Sequence, residues 1–406
     1  MRDHVVIAPD KFKGSLTAPE VAEHLAAGLG VPAVSLPVAD GGDGTVDAVV
    51  ACGFERVSVE VTGPTGERVL ASYAVRGETA VVEMAEASGL RRLSGGLAAL
   101  TATSYGTGEL IADAVRGGAR RIVLGLGGSA CTDGGAGLAQ ALGARFLDAS
   151  GNELPSGGGA LRDLAQIDIS EFMAGIREIS GHGHGHGDGH RHASDAVAGL
   201  EFVVASDVDN PLLGPYGAAA VYGPQKGADP DQVKTLEAGL ARLAAVAAHT
   251  HGLAGSVEHD GVVRSMGVAG QPGAGAAGGV GFAALAFLHA EIRPGIEYLL
   301  DLLDFDRHVQ GARLVITGEG SLDEQSLRGK APIGVANAAA RHGVPVVAVC
   351  GRRTIGDEEL RKAGIDEAYA LTDLESDVQV CMTEAGALLE RLAVRIAATR
   401  LGDVGE

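Results

Sequence analysis

Six lysines stand in this chain of 406 residues, at positions 11, 13, 226, 234, 330 and 362. Four of them, Lys11, Lys13, Lys226 and Lys330, lie in glycine-containing stretches that read as loops. Lysine is a compact charge suited to a phosphate or carboxylate oxygen. Acids keep the same company. Asp10 precedes Lys11; Asp40 and Asp43 lie in "DGGDGT", Asp133 in "GGSACTDGGAG", Asp207 and Asp209 in "SDVDNP", and Glu319 and Asp323 in "GEGSLDEQSLRGK". Such carboxylates can hold a divalent cation or take a proton from a substrate hydroxyl. Taken singly, each is also explained by a helix N-cap or an Asx turn. Asp207 and Asp209 stand out because Asn210-Pro211 breaks the strand behind them. Backbone N–H groups close on phosphate oxygens only where no Cβ intervenes, and a helix N-terminus adds a positive dipole. Gly127-Gly128-Ser129 suits that role, as do Gly41, Gly42 and Gly44 with Thr45 as a helix N-cap. For each loop alone, a tight βα turn is the competing explanation.

The elements that position these residues follow one grammar. Short apolar runs alternate with longer amphipathic ones, the signature of βα units around a largely parallel sheet. Strands are expected at Val5–Ala8, Val34–Ala39, Ala80–Met84, Ile122–Leu126, Phe202–Ala205, Leu314–Thr317 and Pro345–Val349. Thr17 with Glu20 forms a capping box for a first helix carrying Val21, Leu25 and Leu29. Further helices are expected over 45–52, 107–117, 135–143, 231–249, 333–342 and 383–398. In open α/β sheets, ligands bind beyond the carboxyl ends of the strands. Five of these strands are followed there by acids, glycines or both, which points to a shared site. The simple βα units before about residue 75 and after about residue 290 suggest a discontinuous domain, 1–75 with 290–406, and an inserted α/β domain, 76–289. The Gly/Ala-rich run 268–281 reads as a hinge, a linker or a ligand-facing loop.

Composition excludes several classes. Lys plus Arg total 32 against 52 Asp plus Glu, a formal net charge of -20. Sequence-independent nucleic-acid binding needs a basic surface, so no nucleic-acid partner is expected, nor an anionic membrane surface. No apolar run reaches the ~20 residues of a membrane span. The four cysteines are scattered without paired spacing, and no secretory leader is evident, so a reducing cytoplasm without disulfides is expected. The tract "GHGHGHGDGHRH", 181–192, reads as a mobile surface loop; its alternating imidazoles leave Zn²⁺ or Ni²⁺ binding as the sharper alternative.

Phosphate cradles, acids for Mg²⁺, a proton acceptor and cationic clamps together describe phosphoryl transfer. The common signatures are missing. No GxxxxGK[ST] occurs, since Ala331 follows Gly329-Lys330, and no GxGxxG follows the first strand. No GxSxG elbow marks a serine hydrolase. The residues therefore imply an α/β phosphate-handling enzyme of no common kinase type. A nicotinamide oxidoreductase, or a non-catalytic metal-handling protein built on the histidine tract, are the readings from other classes.

Seven segments, "IAPDKFKGS" (7–15), "ADGGDGT" (39–45), "GTGELI" (106–111), "GLGGSACTDGGAG" (125–137), "SDVDNPLLG" (206–214), "YGPQKGA" (222–228) and "TGEGSLDEQSLRGKAPIGVA" (317–336), resemble the type I glycerate kinases of bacteria. The resemblance runs in order over almost the full chain. It implies a Rossmann-like domain made from both chain ends, an inserted domain, and an active site between them. The implied reaction is phosphorylation of D-glycerate by ATP and Mg²⁺, with 2-phosphoglycerate the product generally associated with the family; another small hydroxy acid is the alternative acceptor. The implied roles are Asp207 as proton acceptor and Lys11 and Lys13 on the γ-phosphate. Lys11 and Lys13 could instead grip the substrate carboxylate with Lys226 or Arg293. Asp40, Asp43 or Asp133 would hold Mg²⁺. The Gly127–Ser129 turn would cradle phosphates, Asp10 would join the substrate site, and Glu319, Lys330 and the Gly41–Thr45 loop the nucleotide site. The chain departs from the family at Ser206, where cysteine is more usual, and at Cys131, where asparagine is. Neither departure removes a charge.

Overall fold

A computed structural model describes residues 4–177, 193–250, 257–259, 262–264 and 267–402. The histidine tract 181–192 lies outside the described residues. The chain divides into two compact units, Met1–Phe54 with Pro294–Glu406, and Glu55–Arg293. Eleven strands build their two main sheets. In chain order these are β1 His4–Pro9, β2 Ala33–Ser35, β3 Glu55–Thr62, β4 Arg68–Arg76, β5 Thr79–Glu83, β6 Arg121–Gly125, β7 Glu201–Ala205, β8 Glu291–Arg293, β9 Ala312–Leu322, β10 Val346–Arg353 and β11 Glu367–Ala370.

The first unit has a five-stranded, all-parallel sheet in the order β11-β10-β9-β1-β2. Val5, Val6, Ile7 and Ala8 are fully buried, as a strand covered by helices on both faces requires. The capping box at Thr17 and Glu20 forms as the spacing predicts and starts the helix Ala18–Leu29. That helix buries Val21, Leu25 and Leu29 in one core with Leu388, Leu389 and Leu392 of the helix Ala385–Ile396. Each such side chain stabilises the fold by about 2 kcal/mol. The expected strand over 34–39 pairs as a strand only at Ala33–Ser35. The Leu36 and Val38 amides still bond the Ile7 and Pro9 carbonyls, at 2.7 and 2.9 Å. The segment thus runs beside β1 to its end and delivers Asp40 there.

The second unit has a six-stranded sheet in the order β8-β7-β6-β5-β4-β3. Strands β5 to β8 are parallel, while β3 and β4 form an antiparallel edge hairpin. This hairpin moves the expected boundary. Because β4 pairs with β5, the units meet at 54/55 rather than near residue 75. At the other end β8 pairs with β7, so residues up to Arg293 belong with the second unit. Helices Tyr105–Arg116, Ala136–Ala141 and Pro230–His249 contribute Leu110, Ile111, Leu138, Leu236, Leu240 and Leu243 to its core. The Gly/Ala-rich run 268–281 is neither a linker nor an open loop. It enters the buried helix Ala276–Phe287 through Ala277, Gly278 and Gly279, all with positive φ. Among the described residues no helix is long and apolar enough to cross a membrane.

Candidate active site

In the first unit the expected residues gather at the carboxyl ends of β1 and β9. The Asp10 amide bonds the Gly318 carbonyl at 2.8 Å, which fixes the turn where the chain leaves the sheet. The Asp10 carboxylate accepts the Lys11 amide at 2.6 Å and lies 3.5 Å from the Lys11 ammonium. Its pKa is pushed up to about 7. Burial is the main cause; the Lys11 charge opposes it, and the Asp40 and Glu319 carboxylates reinforce it. The "DGGDGT" loop lies alongside, since a Cβ on Gly44 would sit 3.4 Å from Lys11 Cδ. Within that loop Asp40 accepts the Gly42 amide at 3.1 Å. Thr45 is the first residue of its helix rather than the N-cap, which is Gly44. Its hydroxyl donates back to the Gly42 carbonyl at 2.6 Å.

Glu319 lies on β9 and is 8 % exposed. Burial raises its pKa, opposed by the Ser326 hydroxyl and Lys330, and reinforced by Asp323 and Asp40. One oxygen, Oε2, faces Lys330 Nζ at 3.8 Å. The other, Oε1, is buried with no hydrogen-bond partner among the described residues. Asp323 caps a local turn, accepting the Gln325 amide at 2.9 Å. Lys13 is exposed.

Two buried carboxyls, Asp10 and Glu319, each pushed up by burial and by neighbouring carboxylates, with an unbonded buried oxygen on Glu319, make a site short of positive charge. No group of three or more His, Cys, Asp or Glu among the described residues forms a metal cage. Magnesium that arrives with phosphates needs only one or two carboxylates and keeps water for the rest. The donor set fits a cation of that kind.

In the second unit the expected residues separate into two groups. Asp207 and Asp209 are exposed just beyond β7. The Ser206 amide bonds the Arg293 carbonyl at 3.0 Å, so Arg293 sits beside the residue preceding Asp207. Arg293 lies 3.8 Å from Glu291. The Gly127-Gly128-Ser129 turn follows β6 and is zipped to residues 88–90. The Leu90 amide bonds the Gly128 carbonyl and the Ala130 amide bonds the Ser88 carbonyl, both at 2.9 Å.

The other group is enclosed. Asp133 is 1 % exposed. It accepts the Ser104 amide and hydroxyl at 2.8 Å each, the Gly135 amide at 3.0 Å, the Gly137 amide at 3.2 Å and the Thr103 hydroxyl at 3.5 Å. Five donors on one carboxylate suit an anchor that ties two helix starts together, in place of the metal ligand expected from its strand-end position. Lys226, expected to meet substrate, is 1 % exposed and donates to the Cys131 carbonyl. Burial pulls its pKa down, against the pull of Cys131 and Asp133.

Three contributors escaped the sequence reading. Thr103 and Ser104 lie in "TATSYG", and a serine before a helix pattern reads as an N-cap. Here the Ser104 hydroxyl instead donates to Asp133 and accepts the Leu138 amide at 2.9 Å. Glu83 ends β5, is 1 % exposed, and lies 3.4 Å from Arg91. The strand-end rule applied to Glu83 would have found it.

Comparison with known proteins identifies the family. Residues 5–182 and 188–401 match the model of the glycerate kinase family. The chain is similar to the glycerate kinase of Bacillus subtilis (strain 168), at 41 % identity over 97 % of each chain. It is also similar to the glycerate 2-kinase of Escherichia coli (strain K12), at 42 % identity over 90 % of each. A crystallised protein from Salmonella typhimurium LT2, assigned as a glycerate kinase 2, superposes with a TM-score of 0.78 at 40 % identity, covering 98 % of both chains.

Proposed function

The chain belongs to the glycerate kinase family, and on that premise we propose that it transfers the γ-phosphoryl group of ATP to the 2-hydroxyl of D-glycerate. The observation that carries this reading is the cluster at the ends of β1 and β9, where lysines and charge-starved carboxylates share one sheet edge. The choice of the 2-hydroxyl rests on the similarity to a protein named glycerate 2-kinase.

In this proposal Asp40 and Asp43 hold Mg²⁺, and Asp133 is released from that role. The ion, when bound, neutralises phosphate oxygens. Lys11, Lys13 and Lys330 add fixed positive charge where the transferring group gains negative charge. Glu319 and the Gly41–Thr45 loop attend the nucleotide, and Asp10 lines the substrate side. Asp207 takes the proton from the attacking hydroxyl, since its exposed position after β7 lets it reach a ligand. Arg293 is placed next to it to grip the glycerate carboxylate, a bidentate match for a guanidinium. Gly127, Gly128 and Ser129 offer backbone amides to phosphate. A cytoplasmic location belongs to the same proposal.

The test is ADP release from purified protein with ATP, Mg²⁺ and D-glycerate, with L-glycerate and no acceptor as controls, and ³¹P NMR of the product. Turnover dependent on D-glycerate with a 2-phosphoglycerate resonance is expected. A 3-phosphoglycerate resonance overturns the regiochemistry, and turnover only with a different hydroxy acid overturns the substrate. No turnover with any acceptor, in folded protein, overturns the kinase reading.

A further inference from the structure

Lys226 combines two properties that conflict in a substrate ligand. It carries one of only six lysine ammonium groups in the chain, and that group is shut inside the second unit. The residue sits on the short turn Pro224–Lys226 between the helices Ala218–Tyr222 and Pro230–His249. Its side chain passes inward, and Nζ donates to the backbone carbonyl of Cys131. The space around it is closed from the far side by the left-handed entry to the helix Ala276–Phe287. A Cβ on Gly278 would lie 2.2 Å from the Cys131 carbonyl oxygen and 2.9 Å from Lys226 Nζ. Gly278 also has φ +70°, where any other L-residue is strained. Its own carbonyl accepts the Gly134 amide at 3.0 Å.

The loop from Gly127 to Gly135 is therefore gripped from two directions. Asp133 holds the amides of Gly135 and Gly137. Lys226 holds the Cys131 carbonyl, four residues beyond the start of the glycine turn. Asp133 and Lys226 also attract each other, so the enclosed pair brings little net charge into the core. A buried charge is tolerable only when paired and hydrogen-bonded, and each partner meets that condition through the loop it holds.

We propose that Lys226 is a positioning residue: its enclosed ammonium fixes the Cys131 carbonyl, and with it the Gly127–Gly135 loop, without touching either substrate. This rests on the kinase reading above for its kinetic consequence, but not for its structural one.

Two measurements test it. The first uses the unmodified protein. With six lysines, amine-selective acetylation followed by mass spectrometry resolves every site. Lys13, Lys234 and Lys362 are expected to react quickly, and Lys226 only after unfolding, with a rate that ATP and D-glycerate leave unchanged. Rapid labelling of Lys226 that either substrate suppresses would overturn the proposal. This readout stands even if the protein proves not to phosphorylate glycerate.

The second uses Lys226→Met, which keeps the stem and removes the donor. Amide exchange at 130–137 is expected to rise at least about 10-fold while the β3–β4 hairpin stays protected. Through the misplaced loop, kcat/KM should fall by about 10²-fold. Lys226→Arg should not restore it, because Gly278 leaves no room for a guanidinium. A substrate ligand would behave oppositely, with unchanged exchange at 130–137 and partial rescue by arginine, and that result would overturn the proposal. Should Lys226→Met fail to fold, Gly278→Ala presses the same carbonyl from the other side and is expected to raise exchange over the same residues.

Discussion

The two units place the same residue types at the same kind of position and use them differently. At the ends of β1 and β9, Asp10, Glu319 and Lys330 retain unspent capacity. Glu319 keeps an unbonded buried oxygen, Lys330 is 3.8 Å from its nearest acid, and Asp10 is pushed up to about 7. After β6, Asp133 is saturated by five donors and Lys226 is consumed by a carbonyl. One set can change partners when a ligand arrives; the other cannot without opening the core. Residue type, and for the acids strand-end position, nominate both sets equally. Unfilled hydrogen-bonding capacity separates them.

The sharpest test of exposure against enclosure is to substitute one exposed and one enclosed acid, both from the second unit. Asp207→Asn removes an exposed carboxylate. Turnover should fall by at least about 10²-fold, the usual worth of a general base, while the unfolding free energy from urea titration stays within about 0.5 kcal/mol of wild type. Near-normal turnover in steady-state assays removes Asp207 from the base role. Asp133→Asn does the reverse. An amide offers one acceptor oxygen in place of two and adds donors facing donors, so unfolding free energy should fall by about 3 kcal/mol. If chemical denaturation shows Asp133→Asn as stable as wild type, the anchor role is wrong.

Asp10 gives a pH signature of the unspent set. Its carboxyl holds a proton in the folded chain up to about pH 7, but only to about 4 when unfolded. Below pH 4 both states are protonated and the folded state carries no penalty. Between pH 4 and 7 the unfolded state ionises first, so stability from this group is lost as pH rises. Asp10→Asn keeps the acceptor for the Lys11 amide and removes the titration. In ligand-free protein it should match wild type at pH 4 and exceed it at pH 8 by roughly 2 kcal/mol or more, at about 1.4 kcal/mol per pKa unit. Parallel thermal denaturation curves for the two proteins across that range would refute the burial of a charge-starved Asp10.

Most of the parallel framework was legible because fully buried strands write themselves as apolar runs. β1, β5, β6, β7, β9 and β10 all fall within a few residues of their expected places. The hairpin β3–β4 was not read, although "ERVSVEVT" alternates in burial as an edge strand should, and the domain boundary slipped by some twenty residues as a result. The run 268–281 stays open in the sequence between hinge, linker and ligand-facing loop for a different reason. Glycine and alanine there serve close packing against Cys131 and Gly134, and composition alone cannot tell a packed approach from a flexible one. The candidate acids were nominated from their strand-end positions. The saturation of Asp133 was hidden, because three of its five donors come from residues 103–104, some thirty positions away in sequence.

The smallest expected effect falls on the pair that is loosest. Lys330 is 37 % exposed on its side chain and meets Glu319 at 3.8 Å, the long end of ion-pair distance, so their mutual attraction is screened and worth well under 1 kcal/mol to the fold. Lys330→Gln should leave the melting temperature unchanged to within about 2 °C. The Glu319 carboxyl loses one of the two influences that oppose its burial, and its pKa should rise further. In the proposed reaction the lost charge also leaves the transferring phosphate less neutralised. A few-fold rise in KM for ATP is therefore expected, larger at low ionic strength, where screening is weaker. A stability loss like that of Asp133→Asn would place Lys330 with the saturated set and dissolve the contrast between the two units. An unchanged KM at every salt concentration would leave Lys330 outside the nucleotide's reach, and the unbonded oxygen of Glu319 would then need another cation.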